Sequence, residues 1–210
     1  MLNLSTFDKD DTTLLVNSYN AIRHKDRLEI ILEEAERQEV LQKTLNALIL
    51  PRHCSFTFQN LFKLKLNKGH FYIAQCFLDF GYPVGRKLDQ SPTRKYHYQI
   101  VGIAKSTMDL GKTLLRPETK SDKLVSWFGK SDIDLQGTTK FNDKYYLTSN
   151  KPDQITKAFD TSFVNSISSH INIHLFTNSM DMFITFDDEL ATQQSRAIED
   201  IFSNFKHLSD

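Results

Sequence analysis

Cysteine, glycine, proline and tryptophan are all scarce in this 210-residue chain, which holds two Cys, seven Gly, five Pro and one Trp. Two cysteines, Cys54 and Cys76, do not make a disulfide framework, and neither belongs to a CxxC pair of the kind that holds zinc. Both read as reduced structural thiols. The glycines form no GxGxxG and no GxxxxGK[ST], so a nucleotide-dependent reaction lacks its phosphate cradle. There is no GxSxG, and neither cysteine sits in a nucleophile signature. No stretch reaches the roughly 20 apolar residues that cross a bilayer: Leu45 to Leu50 is broken by Asn46 and stopped by Pro51, and Phe71 to Phe80 contains Gln75 and Asp79. Met1 to Asp11 lacks the basic start and apolar run of a secretory signal. These absences predict a soluble, cytoplasmic protein with no cofactor and no metal site.

What the chain does have is apolar volume. Hydrophobic residues are 40% of it and sixteen are Phe, enough for one real core, and the length suits one domain with an appended element. The formal charge is zero, but the signs are segregated. Residues 1–51 carry 6 basic and 9 acidic side chains, residues 52–106 carry 9 and 2, and residues 107–210 carry 11 and 15. The middle is basic and its flanks are acidic.

From Asp26 to Leu50, Leu28, Ile31, Leu32, Ala35, Leu45, Leu48 and Ile49 recur at helical spacing around the polar run Glu33 to Glu39, predicting a long amphipathic helix that ends at Pro51. An earlier helix is expected over Asp11 to Arg23, where Leu14, Leu15, Tyr19 and Ile22 form a stripe. Residues 1–51 therefore read as a helical arm and 52–210 as one α+β domain. Beyond Pro51 the period becomes two: Phe62, Leu64 and Leu66 alternate with Lys63 and Lys65, and Asn67-Lys68-Gly69 turns the chain into a central strand over Phe71 to Phe80. Gly81 to Leu88 is the expected hairpin partner. Tyr96, Tyr98 and Ile100 alternate, then Val101 and Ile103 fall on the other parity, which predicts a bulge at Gly102.

In the second half, Ser121 can cap a short helix with Leu124, Val125, Trp127 and Phe128, and Phe141 to Leu147 reads as a strand. Pro152 and Asp153 open a helix that buries Ile155, Phe159, Phe163 and Ile167. Ile171, Ile173 and Leu175 pair across Asn178-Ser179 with Met182, Ile184 and Phe186, and a last helix buries Leu190, Ala197, Ile198, Ile201, Phe202 and Phe205. The order β-α-β-β-α over 141–206 predicts antiparallel sheet with packed helices.

Leu115-Arg116-Pro117, Asp132-Ile133, Phe141-Asn142 with Tyr145, the Ile155 to Ile167 helix and the Ile171 to Phe186 hairpin together resemble a family of bacterial proteins of unknown function. The resemblance spans roughly residues 71 to 206. Other members of that family are often membrane-anchored, whereas the front arm of this chain is polar. The resemblance implies a domain limit and carries over no functional residue.

Few residues invite chemistry. His170 and His174 are spaced like helical metal ligands, but on a strand they lie about 13 Å apart, too far to share an ion. Asp132 and Asp134 share one side of a strand and can hold a cation or share a proton, which keeps an enzyme with a dispersed acidic site as an alternative. Lys63, Lys65, Lys68, Arg86, Lys87, Arg94 and Lys95, with Tyr82, Tyr96 and Tyr98, can neutralise phosphates on nucleic acid or an anionic lipid surface, unless the acidic flanks compensate them. The leading expectation is a non-enzymatic interaction module that contacts another protein, or a second copy of itself, through Leu28, Ile31, Leu32 and Ala35 of the arm.

Overall fold

The structure, a computed structural model, describes residues 28–30, 34–47, 54–80, 95–119, 132–135, 138–187 and 192–209, together with residues 13, 16, 17, 20 and 22. The expected helix around Trp127 and the hairpin partner at 81–88 lie outside the described residues. The three longest strands come from the basic middle: β2 (Cys54–Leu66), β3 (Gly69–Phe80) and β4 (Lys95–Lys105). A two-residue turn at Asn67-Lys68 joins β2 to β3, with Leu66 opposite Gly69. The short edge strand β1 (Leu28–Ile30) pairs with β2, Leu28 opposite Leu64.

The remaining strands are β5 (Lys112–Pro117), β6 (Tyr145–Ser149), β7 (Ile173–Asn178) and β8 (Asp181–Phe186). All pair antiparallel, in the order β1-β2-β3-β4-β8-β7-β5-β6. With the helices packed on it, this sheet makes the fold α+β. The chain passes from β4 to β5 at a distance, and the later β7–β8 hairpin fills the gap between them.

The β3–β4 register runs without a break from Phe71 opposite Ala104 to Phe80 opposite Lys95, so Gly102 is not a bulge. The change of parity has another cause: β4 is buried on both faces. Ile100 and Ala104 belong to one core, Val101 and Ile103 to a second core behind the sheet. The irregularity lies instead in β2, between Phe58 and Asn60. Gly102 is glycine because a Cβ there would stand 2.6 Å from Ile198 Cγ2 and 3.0 Å from Phe202.

The first face carries the larger core. Helix α5 (Thr192–Asn204) lays Ile198, Ile201 and Phe202 on it, with the Phe202 and Phe71 rings 5.2 Å apart. Beside α5 lie α3 (Pro152–Ala158) and α4 (Thr161–Ser169), where Phe163 sits between Phe159 and Phe205 at 4.8 and 4.9 Å. The expected single helix over Pro152 to Ile167 is thus two. Asp160 divides it, accepting a hydrogen bond from Phe163 N at 3.0 Å as the N-cap of α4, so the backbone turns while Ile155, Phe159, Phe163 and Ile167 keep the same core. The expected strand at Phe141 is also corrected. Phe141 is buried from one helical turn, α2 (Thr139–Asn142), and the strand begins at Tyr145. Ile171 stays out of β7 because Asn172 takes a left-handed conformation, φ 56°, and leaves it 66% exposed.

The arm is divided as well. Of the described residues in the expected helix over Asp26 to Leu50, 28–30 extend the sheet and α1 (Glu34–Ala47) is helical. The described residues of the earlier segment, 13, 16, 17, 20 and 22, are helical. Ile22 is fully buried in the first core, whereas α1 packs on the second face against β2, β7 and β8. The arm therefore holds both faces of the sheet.

Replacing Gly102 with Ala should destabilise the protein by about 1–3 kcal/mol through overpacking against Ile198. In urea unfolding, the Gly102→Ala, Ile198→Ala double variant should lose less than the sum of its single variants, by at least about 0.5 kcal/mol. Strict additivity would show that the two do not share this contact.

Candidate functional site

A polar cluster on the second face joins α1 to the sheet. Lys63 and Tyr72 are direct cross-strand neighbours, and in the same row Tyr72 stands beside Ile103, Ile103 beside Phe183 and Phe183 beside Phe176. Helix α1 runs over this row. Its 14 residues span about 21 Å at 1.5 Å each, and the five strands from β2 to β7 span about 19 Å at 4.8 Å per step. Near its start, Glu36 accepts from the Tyr72 hydroxyl at 2.9 Å and from Lys63 Nζ at 3.2 Å. In its middle Val40 is buried with Leu61, Ala74, Val101, Ile103 and Phe183, and Leu41 packs against them. Farther on, Lys43 bonds Glu39 at 2.7 Å and feels the charge of Asp181 on β8.

Tyr72 gives its proton to Glu36, so the 3.1 Å contact with His70 Nε2 is one in which the ring N–H donates to the phenol oxygen. Burial, then the bond to Glu36, pushes the Tyr72 pKa well above the usual phenol value. A general base needs the opposite tuning. The group is a neutral donor that ties a charged helix to a sheet.

Asp132 is spent in a similar way. Its Oδ1 accepts from Leu147 N at 2.9 Å, and Ile133 N donates to Leu147 O at 2.8 Å. Together they cover the middle of β6, an edge strand whose open backbone groups would otherwise invite pairing with another chain. Burial is the largest influence on Asp132 and raises its pKa; Asp134 is exposed. The expected carboxylate pair is an edge cover and a solvated neighbour.

Ser166, His170 and Asp200 assemble three residue types of a hydrolase without its geometry. Ser166 Oγ donates to Asp200 Oδ2 at 2.6 Å, and His170 Nε2 lies 3.2 Å from the same oxygen. Nucleophile activation requires the imidazole between hydroxyl and carboxylate. Here the carboxylate is in the middle, and the trio clamps α4 to α5. The end of α4 is closed by Lys144, whose ammonium donates to the carbonyls of Ser168 and His170, while Tyr145 Oη donates to His170 O at 3.1 Å. Burial lowers the Lys144 pKa and pushes Tyr145 up to about 12. His174 is on β7, 2.6 Å from Asp187, and His170 is held at Asp200. Among the described residues no group of three or more His, Cys, Asp or Glu can hold a metal, and no helix is long and apolar enough to cross a membrane.

Of the arm's expected contact residues, Leu28 is in β1, Ala35 is exposed on α1, and Ile31 and Leu32 lie outside the described residues. The lining of α1 is instead Glu36, Val40, Leu41 and Thr44. Of the basic residues, Lys63 is paired with Glu36, Lys65 shares its face of β2, and Lys68 is exposed at the β2–β3 turn. Lys95 opens β4 opposite Phe80, at the far end of β3 from that turn, about 36 Å away at 3.3 Å per residue. Arg86, Lys87 and Arg94 lie outside the described residues. Nothing local in the sequence marks Glu36 or Tyr72.

Compared with protein-family models, with curated proteins and with solved structures, the chain matches none.

Two titrations check these assignments. The unfolded chain ionises tyrosine near pH 10, whereas Tyr145 holds its proton to about 12 and Tyr72 beyond the usual range. Their stabilisation is complete below about pH 10 and is lost as pH rises above it. Tyr72→Phe should show a shallower alkaline loss of stability than the wild type, and an equal slope would remove Tyr72 from the account. At Asp132 the folded state favours the proton, so its contribution is complete below about pH 4 and is lost as pH rises through the raised value. Asp132→Asn keeps an acceptor for Leu147 N and should be within about 0.5 kcal/mol of wild type at neutral pH. Asp132→Ala, which orphans that N–H, should cost about 1–3 kcal/mol in chemical denaturation; equal costs for the two would sink the edge-cover role.

Proposed function

We propose that the protein is a non-enzymatic interaction module that contacts another protein through the arm-bearing second face of its sheet. The observation that carries this reading is the use to which its reactive side chains are put. Tyr72, Asp132, Ser166, His170 and Lys144 each spend their polar atoms on joining one element to another. On the second face, by contrast, α1 turns Ala35, Gln38, Glu39 and Gln42 to solvent, a polar, amide-rich strip about two turns long. The free buried thiol Cys76 fits a reducing compartment, and the reading places the protein in the cytoplasm.

A photo-crosslinking residue at Gln38 or Gln42, introduced one at a time and activated in cells, should give a discrete covalent adduct with one partner. The same residue at Lys157, on the first-face helix α3, should give none. Absence of any discrete adduct from both α1 positions would overturn the reading.

A further inference from the structure

A cavity opens on the first face, where the β2–β3 turn meets the segment that follows α5. It holds about 190 Å³ between Leu66 and Lys68 on one side and Phe202, Ser203, Phe205 and Leu208 on the other. Phe202, Phe205 and Leu208 are at most 5% exposed and form its floor, whereas Lys68 and Ser203 are exposed and stand at its mouth.

The walls are held from outside the cavity. Thr107 N donates to His207 O at 2.7 Å, Ser209 N donates to Lys105 O at 2.8 Å, and His70 N donates to Ser209 O at 3.3 Å, so the segment after α5 is tied to β3 and β4. Gly69, with φ 136°, lies so close to it that a Cβ would stand 2.4 Å from Ser209 O. The Phe202 ring is 5.2 Å from Phe71 and the Phe205 ring 4.9 Å from Phe163. Interiors leave few voids larger than a water molecule, and one whose walls are fixed in this way does not close by collapse.

The lining is one-sided in its chemistry. Carbon faces the interior, no acidic side chain borders the space, and the polar groups at the mouth belong to Asn67, Ser203 and Lys68. Lys206 is engaged by Asp160 at 2.5 Å, while among the described residues no carboxylate pairs with Lys68. An apolar cavity of about 150 Å³ takes up a benzene-sized body, so this one has room for a chain of roughly five or six carbons. We propose that the cavity binds a short-chain monocarboxylic acid, its alkyl chain against Phe202, Phe205 and Leu208 and its carboxylate at the mouth on the Lys68 ammonium. Burial of the chain supplies most of the affinity, and the exposed ion pair selects the charge. The site is on the face opposite α1 and is independent of any partner contact there.

The test is an amide NMR titration of the full chain with sodium hexanoate. Signals of residues 66–69 and 203–208 should move and saturate with a Kd of about 1 mM, the scale for a ligand of about eight heavy atoms. Hexanamide, the neutral isostere, should bind about three- to fivefold more weakly, and Lys68→Gln should weaken hexanoate by the same factor while leaving hexanamide unchanged. Ser203→Trp, which fills the mouth from an exposed position, should abolish binding; if that variant disturbs α5, Asn67→Trp blocks the mouth from the turn. No saturable movement of these signals up to about 20 mM hexanoate, far above the expected Kd, would overturn the proposal. Equal affinity for hexanamide, an unchanged affinity in Lys68→Gln, or binding that survives a folded Trp variant would do the same.

Discussion

Burial of β4 on both faces is the constraint from which the rest of the architecture follows. Ile100 and Ala104 require cover on one side, Val101 and Ile103 on the other, and a sheet whose central strand is apolar on both sides is stable only between two layers. The C-terminal helix supplies one layer and approaches so closely that Gly102 has no room for a methyl group. The arm supplies the other. Its helix is tied to the sheet by a carboxylate that serves a tyrosine and a lysine at once. The segregation of charge along the chain finds part of its meaning here, since an acidic arm lies over lysines of the basic middle.

Tyr72, Lys144 and Ser166 each bridge elements that lie apart in sequence: a phenol held neutral against α1, an ammonium set among the carbonyls that end α4, a serine whose proton points at a carboxylate of α5. Satisfied networks of this kind add specificity to a core, because a misplaced element would leave several groups unpaired at once.

Much of this fold was legible from period alone. The alternation in β2, the apolar stripe of α5 and the β7–β8 hairpin follow from spacing, because Phe62 and Leu64, the stripe of α5, and Ile173, Leu175, Met182, Ile184 and Phe186 all face the first core. The failures have separate causes. Where a strand is buried twice, as at Val101 and Ile103, parity stops reporting geometry. Where a cap interrupts a stripe, as Asp160 does between Phe159 and Phe163, the side-chain period continues although the helix does not. The tie at Glu36 was hidden for a third reason: its partners Lys63 and Tyr72 are 27 and 36 residues away, and only the fold brings them together.

The position of the β7–β8 hairpin bears on how the chain is made. Strands β1 to β4 leave the ribosome first and β5–β6 soon after, but the sheet closes between them only when residues 173–186 arrive. Until then β4 and β5 each present an open edge, and the nascent chain carries two unfinished sheets at once. Closure is a late, long-range event, of the kind that slows folding and leaves strand edges open to self-association during synthesis.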